Sequence, residues 1–232
     1  MPIPKIIHQT WKDEKIPVKW QDFQQKVISL HSKWEYKLWT DKDIDDFVST
    51  EFQDFYSTFS GFEKHIMRVD VVRYLILYKI GGLYLDLDYE MVKLFDLIDH
   101  ELILPKNRGV EFGDDKDVIG NSVLASAPGH NFWKIIINDL SVNPPKIRDY
   151  FDVEEATGPH FLTRIYNANK NKIENCIILD RKYFHHPIPK QKSDYFKIVK
   201  NKDVYGFHHT SGSWRERFTL PYFKNKIRKL FQ

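Results

Sequence analysis

Arg68-Val69-Asp70-Val71-Val72-Arg73-Tyr74-Leu75-Ile76-Leu77-Tyr78-Lys79-Ile80-Gly81-Gly82-Leu83-Tyr84-Leu85-Asp86-Leu87-Asp88 is the stretch whose reading decides the fold. Residues 63–80 are largely apolar and contain no Pro or Gly, which predicts one long helix. Gly81-Gly82 then supplies the left-handed backbone that ends a helix. Residues 83–88 alternate with period two, which predicts a strand. Leu83, Leu85 and Leu87 are expected on a core face, with Tyr84, Asp86 and Asp88 on the opposite one. A buried helix running straight into a strand is the unit of an α/β sheet.

Two features of this unit point to chemistry. Asp86 and Asp88, two apart on a strand, would emerge on the same side about 6–7 Å from each other. Ionised carboxylates that close repel, and a hard divalent cation such as Mg²⁺ or Mn²⁺ relieves the conflict through oxygen ligands. A bare Asp-x-Asp is common, so its place after a helix, a Gly-Gly turn and an apolar strand carries the argument. Asp70 and Arg73, three apart, share a helical face and can pair. Their neighbours Val69, Val71, Val72, Tyr74, Leu75, Ile76 and Leu77 make the helix apolar nearly all round. An ion pair there is costly unless it serves a purpose. Arg holds phosphate bidentately and Asp accepts from hydroxyls, so a sugar diphosphate is a fitting ligand.

Outward from this centre, residues 5–9 read as an apolar strand, 20–31 as a helix and 34–39 as a second strand. Thr40 is an N-cap for a helix over 41–48. This opening predicts parallel β-α-β units. Residues 118–125 read as one strand, 131–140 as a helix broken at Pro144-Pro145, and 158–168 as a helix. A buried strand follows at 176–179, then a Pro/His-rich loop over 185–190 and a last strand over 204–208. Gly113-Asp114-Asp115 reads as a solvated turn. No repeat or linker-like run divides the 232 residues, so the expectation is one domain over 1–232.

Composition bounds the rest. With 42% hydrophobic and 29% charged residues the chain can bury a sizeable core. The 15% aromatic content supplies large core side chains, and also flat surfaces for bases or sugar rings. Its one cysteine, Cys176, excludes a disulfide framework or thiolate cluster and suits a reducing compartment. A net charge of +3 gives no reason to expect nucleic acid. The start does not read as a signal peptide, and no apolar run is long enough to span a membrane. Residues 214–232 carry Arg215, Arg217, Lys224, Lys226, Arg228 and Lys229 against one acid, Glu216, interleaved with apolar residues. This basic amphipathic tail can pack on the domain or lie on an anionic membrane surface. The expected location is cytoplasmic, peripheral to the inner face of the cell membrane.

The ordered stretch 68–88 resembles the sugar-binding region of the Asp-x-Asp glycosyltransferases. These include fungal initiating mannosyltransferases, bacterial capsular-polysaccharide transferases and the glucosyltransferase domains of clostridial toxins. Pro4-Lys5-Ile6-Ile7-His8-Gln9-Thr10-Trp11 is similar to that family's first strand, whose following loop holds the nucleobase. His208-His209-Thr210-Ser211-Gly212-Ser213-Trp214 is similar to its closing motif, and Asn121-Ser122-Val123 and Thr157-Gly158-Pro159 fit more weakly.

The resemblance implies a GT-A type fold, a Rossmann-like mixed sheet flanked by helices with the site at strand C-terminal ends. It implies a nucleotide-sugar donor, UDP-sugar favoured with GDP-mannose the alternative, and an Mn²⁺ or Mg²⁺ cofactor. The acceptor would be a glycan or lipid-linked saccharide, in surface or capsular polysaccharide synthesis, with retention of configuration. By the same resemblance Asp88 is a direct metal ligand, and Asp86 holds ribose or metal-bound water. His208 is a metal or diphosphate ligand, with His209 its rival. Asp70 and Arg73 hold the donor sugar, and Trp11, with Gln9 and Thr10 beside it, binds the base. Ser213 and Trp214 reach the diphosphate, and Tyr84 shares the carboxylate face and lines the pocket. His185-His186 is read as structural or acceptor-facing.

Two other classes stay open on sequence. Phosphohydrolases of the haloacid dehalogenase type also place Asp-x-Asp after an apolar strand, but they want Thr or Val where Glu90 stands. A carbohydrate-binding module would need neither the Asp70/Arg73 pair nor a base platform.

Overall fold

A computed structural model describes residues 1–108, 117–148 and 152–212 of the chain. Ser213, Trp214, the basic tail and Gly113-Asp114-Asp115 lie outside the described residues.

The chain opens with β1 (Ile6–Thr10), α1 (Val18–Leu30), β2 (Glu35–Trp39) and α2 (Asp41–Glu51). β1 and β2 are parallel, with Ile6 opposite Glu35 and Thr10 opposite Trp39, as the opening pattern predicts. Thr40 caps α2 in a capping box: its side chain accepts from the Asp43 N–H while Asp43 reaches back to the Thr40 N–H. After α3 (Gln53–Ser60), the apolar helix α4 (His65–Lys79) runs through the core. It buries every residue from Asp70 to Leu77.

Gly81 and Gly82 have φ of +74° and +102°. They reverse the chain from α4 into β3 (Gly82–Leu85), which joins β1 in parallel. A Cβ on Gly82 would lie 2.6 Å from the Ile6 carbonyl oxygen, so both the torsion and the close strand approach demand glycine.

The predicted strand over 83–88 is shorter in the structure. β3 stops at Leu85, and Asp86-Leu87-Asp88 form a turn closed by Tyr89 N–H to Asp86 O at 3.1 Å. β4 (Tyr89–Met91) follows. Leu83 and Leu85 do share one core and Tyr84 faces the other, but Leu87 joins neither. It sits with Ile16 and Trp20 in a small third cluster. Two-residue periodicity cannot reveal a turn when the residue leaving the ladder is also apolar.

β5 (Leu102–Arg108), β6 (Asp117–Ile119) and β7 (Val123–Ser126) complete the middle of the sheet. The single strand expected over 118–125 is thus two strands, separated by Gly120-Asn121-Ser122. α5 (Asn131–Val142), α6 (Val153–Ala156), α7 (Pro159–Asn169), β8 (Cys176–Leu179), α8 (Arg181–Phe184), α9 (Lys192–Val199) and β9 (Gly206–His208) follow. The strand order is β2-β1-β3-β7-β5-β6, with β8 also pairing β5. β3/β7, β7/β5 and β5/β6 are antiparallel while β5/β8 is parallel, so the sheet is mixed. β4 and β9 form a separate antiparallel ribbon.

Each sheet face carries a core. One packs Tyr84, Leu102, Leu104 and Leu124 beneath α2–α5 and α7; the other packs Ile7, Leu83, Leu85 and Ile103 against Val27 and Phe184. Cys176 is half-buried rather than buried, on the outer strand β8. Among the described residues no helix is long and apolar enough to cross a membrane.

Candidate active site

The site forms where α4, the turn after β3 and the end of β9 meet. Because β4 leaves directly from the Asp86–Asp88 turn, its ladder with β9 decides which late residue arrives there. Tyr89 is opposite His208, so His208 sits beside Asp88. Its Nε2 lies 3.1 Å from Asp88 Oδ1 and 3.8 Å from Asp86 Oδ2. One ligand atom from each of Asp86, Asp88 and His208 can be chosen with all three within 4.8 Å of one another. The neighbouring His209 turns away and bonds Glu90 Oε2 at 3.0 Å, which places His208 and not His209 at the cluster.

The second cluster is the pair on α4. Arg73 is bound by Asp70 Oδ1 at 3.1 Å and by Asp86 Oδ1 at 3.2 Å, so one guanidinium links both acid motifs. It also donates to Asn121 O at 2.6 Å and lies over the Tyr84 ring. Asp70 accepts from Asn121 Nδ2 at 2.9 Å and Thr157 Oγ1 at 3.1 Å. The two weaker sequence matches, at 121 and 157, thus converge on the same carboxylate.

Burial raises the Asp70 pKa to about 6, against the lowering pull of Arg73. Burial and the nearby Asp88 charge also raise Asp86, again opposed by Arg73. Asp88 goes the other way. Burial opposes its ionisation, but the His208 hydrogen bond and charge, with the Ser211 N–H, bring it down to about 2. The two carboxylates reciprocate by raising His208 against its own burial.

Both clusters open into one cavity of about 710 Å³. Asp70, Arg73, Asp86, Asp88 and His208 line it, together with Thr10, Trp11, Lys12, Trp20, Asp41, His65, Asn107, Asn121, Ser122, Glu154 and Gly158. Trp11 reaches the cavity and packs edge-on against Trp20, with ring centroids 4.9 Å apart. Gln9 and Tyr84 are fully buried and are not part of the lining. Both act on the turn from behind. Gln9 Nε2 donates to Asp86 O at 3.3 Å, and the Tyr84 hydroxyl bonds Asp86 Oδ1 at 3.0 Å and Thr10 Oγ1 at 2.9 Å. The expectation that Tyr84 lines the pocket is therefore corrected: as a residue inside β3 it points into the core under α4.

Sequence reasoning passed over the Ser211 N–H on Asp88 Oδ2, at 2.7 Å, and the wall residues Lys12, Asp41 and His65. A backbone donor leaves no mark on sequence, and the wall residues come from three separate places: the loop after β1 and the starts of α2 and α4.

The donor set suits a divalent cation. Two carboxylates and one imidazole meet at one point, and the Ser211 N–H on Asp88 Oδ2 leaves Oδ1 turned toward the others. The side chains available are oxygen-rich, as Mg²⁺ and Mn²⁺ prefer.

Residues 17–107 match the family described as glycosyltransferase sugar-binding region containing DXD motif. The chain is 38% identical over 171 residues to inositol phosphoceramide mannosyltransferase 3 of Schizosaccharomyces pombe, covering 72% of this chain and 45% of that protein. It is 35% identical over 178 residues to a mannosyl phosphorylinositol ceramide synthase of Saccharomyces cerevisiae, covering 75% and 46%. The chain thus spans about half the length of these relatives. Among solved structures, the catalytic domain of alpha-toxin from Clostridium novyi superposes with a TM-score of 0.55 at 9% identity, covering 100% of this chain and 83% of that one. That likeness shows a shared fold, the GT-A type.

Proposed function

Because the chain belongs to the glycosyltransferases with a DXD-containing sugar-binding region, we propose that it moves a hexose from a nucleotide-diphosphate sugar to a lipid-linked polyol or glycan acceptor. The observation that carries this reading is the convergence of Asp86, Asp88 and His208 with the buried Asp70–Arg73 pair in one cavity. Mannose is the first candidate sugar and a phosphoinositol-containing lipid the first candidate acceptor, because the relatives' names specify them. This replaces a capsular polysaccharide as the favoured context.

Asp86, Asp88 and His208 would hold Mn²⁺ or Mg²⁺, which when bound neutralises charge on the departing diphosphate. The chain's own residues do the rest. Asp70 accepts from sugar hydroxyls, and its bonds from Asn121 and Thr157 fix where it points. Arg73, held by four oxygens and the Tyr84 ring, presents a fixed positive charge between sugar and diphosphate. Trp11 offers an aromatic surface at the cavity wall for the base, with Ser213 and Trp214 assigned to the diphosphate. We assign no covalent nucleophile, and the proposed outcome is retention by front-side transfer. The proposed location is the cytoplasmic membrane face, supported by the six basic residues between 214 and 232.

The test is a released-nucleotide and product assay with GDP-mannose and UDP-hexoses, Mn²⁺, and a phosphoinositol lipid acceptor. Transfer that needs donor, metal and acceptor together supports the reading. Phosphate release from simple phosphomonoesters without any sugar transfer would replace it with a phosphohydrolase.

A further inference from the structure

Gly120-Asn121-Ser122, the short connection between β6 and β7, touches Asp70, Arg73 and Asp86. Asn121 gives its side-chain amide to Asp70 at 2.9 Å, and its carbonyl accepts from Arg73 at 2.6 Å. The Ser122 carbonyl accepts from the Asp86 N–H at 2.8 Å. Asn121 and Ser122 thus fix the spacing between the proposed sugar-holding pair and the proposed metal-holding turn. Such a seat works only if it is itself held.

His185, at the start of the Pro/His-rich loop, holds it. Its Nδ1 is 2.9 Å from Lys106 O, and its Nε2 is 2.9 Å from Ser122 Oγ. A carbonyl only accepts, so Nδ1 carries a proton, and with burial lowering the pKa and keeping the ring neutral the Nε2 lone pair accepts from the serine hydroxyl. The imidazole bridges β5 to the connection in one fixed neutral tautomer. The fit is close: a Cβ on Gly120 would lie 2.7 Å from His185 Cε1. The ring also stands edge-on to His208, with centroids 6.1 Å apart and planes at 74°. A permanently cationic side chain in its place would repel a cation at the cluster, and an apolar one would leave the Ser122 hydroxyl and Lys106 carbonyl without this partner.

We propose that His185 is a positioning residue of this site, acting through Ser122 to hold the Asp86 turn and the Asp70–Arg73 pair in register for cation binding. This rests on the reading that Asp86, Asp88 and His208 hold a divalent cation. Hydrogen-bonding partners one layer out from a metal typically change its affinity by about 10–100-fold.

The chain provides its own control. His31 is likewise a neutral imidazole held by two bonds, from Phe95 N–H to Nε2 at 3.0 Å and from Nδ1 to Val27 O at 2.8 Å, but neither of its partners lines the cavity, as Ser122 does. The experiment is Mn²⁺ titration followed by electron paramagnetic resonance, in the presence of GDP or UDP. Wild type, His185→Ala, Ser122→Ala, the double variant and His31→Ala are compared, with thermal melting of each. The expected result is Mn²⁺ binding weakened at least about tenfold in His185→Ala and in Ser122→Ala, with the double variant no worse than the weaker single. His31→Ala is expected to lose melting temperature while binding Mn²⁺ as wild type does. Should His185→Ala fail to fold, Ser122→Ala, which removes one hydroxyl, decides the matter alone. Wild-type Mn²⁺ affinity in the histidine and serine variants, or equal weakening in His31→Ala, overturns the proposal while leaving the cation reading intact. No Mn²⁺ binding by wild type overturns the cation reading and this proposal with it.

Discussion

Replacing Asp70 by Asn should make the protein more stable and less functional, by an amount that depends on pH. Asp70 is buried at the edge of the cavity, and its pKa rises from 3.8 to about 6, with burial outweighing Arg73. A carboxyl whose folded pKa lies above its unfolded one contributes most below the unfolded value, and that contribution is lost as pH rises through the folded value. The shift of roughly two units corresponds to about 3 kcal/mol lost by pH 7, at about 1.4 kcal/mol per unit. At pH 4, near the unfolded value, most of that loss is absent. Asn imitates the protonated acid and keeps an oxygen for the Asn121 amide and an N–H for a hydroxyl. Urea unfolding of wild type and Asp70→Asn between pH 4 and 7 should therefore show a gap that widens with pH, the variant more stable, while donor binding falls. A native total of about 5–15 kcal/mol makes such a gap large. An Asp70→Asn protein less stable than wild type at pH 7, or a gap that does not change with pH, would refute the reasoning.

Three further outcomes follow from particular contacts. Leu87→Ala empties a side chain that is 4% exposed in the cluster with Ile16 and Trp20; chemical denaturation should show a loss of about 2–3 kcal/mol, with weakened metal binding because this side chain anchors the Asp86–Asp88 turn. Gly82→Ala forces φ of +102° on an L residue and a Cβ 2.6 Å from Ile6 O; it should cost about 2–4 kcal/mol in denaturation, more than Gly129→Ala, where nothing lies within 4 Å. His8 is held neutral: burial and Lys37 take its pKa from 6.5 to about 4 against the Gly81 carbonyl, while the Trp39 indole donates to its Nδ1. A depressed histidine means stability lost as pH falls from 6.5 toward 4, up to about 3 kcal/mol. Urea unfolding in the Asp70→Asn background, where the opposing carboxyl is gone, should reveal that acid loss, and His8→Gln should reduce it.

Much of this architecture was legible because local and tertiary signals agreed. Thr40 with Asp43, the uninterrupted 63–80 run and the Gly81-Gly82 stop each state an element boundary in their own chemistry. The Asp70/Arg73 reading rested on an ion pair in an apolar helix, and the structure supplies the partners that keep it there. The failures have physical reasons too. Leu87 kept the alternation going through a turn, so the strand looked three residues too long. Tyr84 shares strand parity with Asp86, but parity stops mattering once the ladder ends, and its ring falls under α4 with only its hydroxyl reaching the carboxylate. Choosing His208 over His209 needed the β4–β9 register, a long-range fact. The same is true of His185, which meets Ser122 from 63 residues away.

The central claim is that Asp86, Asp88 and His208 form a cation-dependent seat for a nucleotide sugar. Isothermal calorimetry of GDP-mannose and UDP-hexose binding, with and without Mn²⁺, in wild type and Asp88→Ala, tests it most directly. The account predicts binding of one nucleotide sugar that requires Mn²⁺ and disappears in folded Asp88→Ala. Binding that ignores the metal, or survives the loss of Asp88, would contradict it.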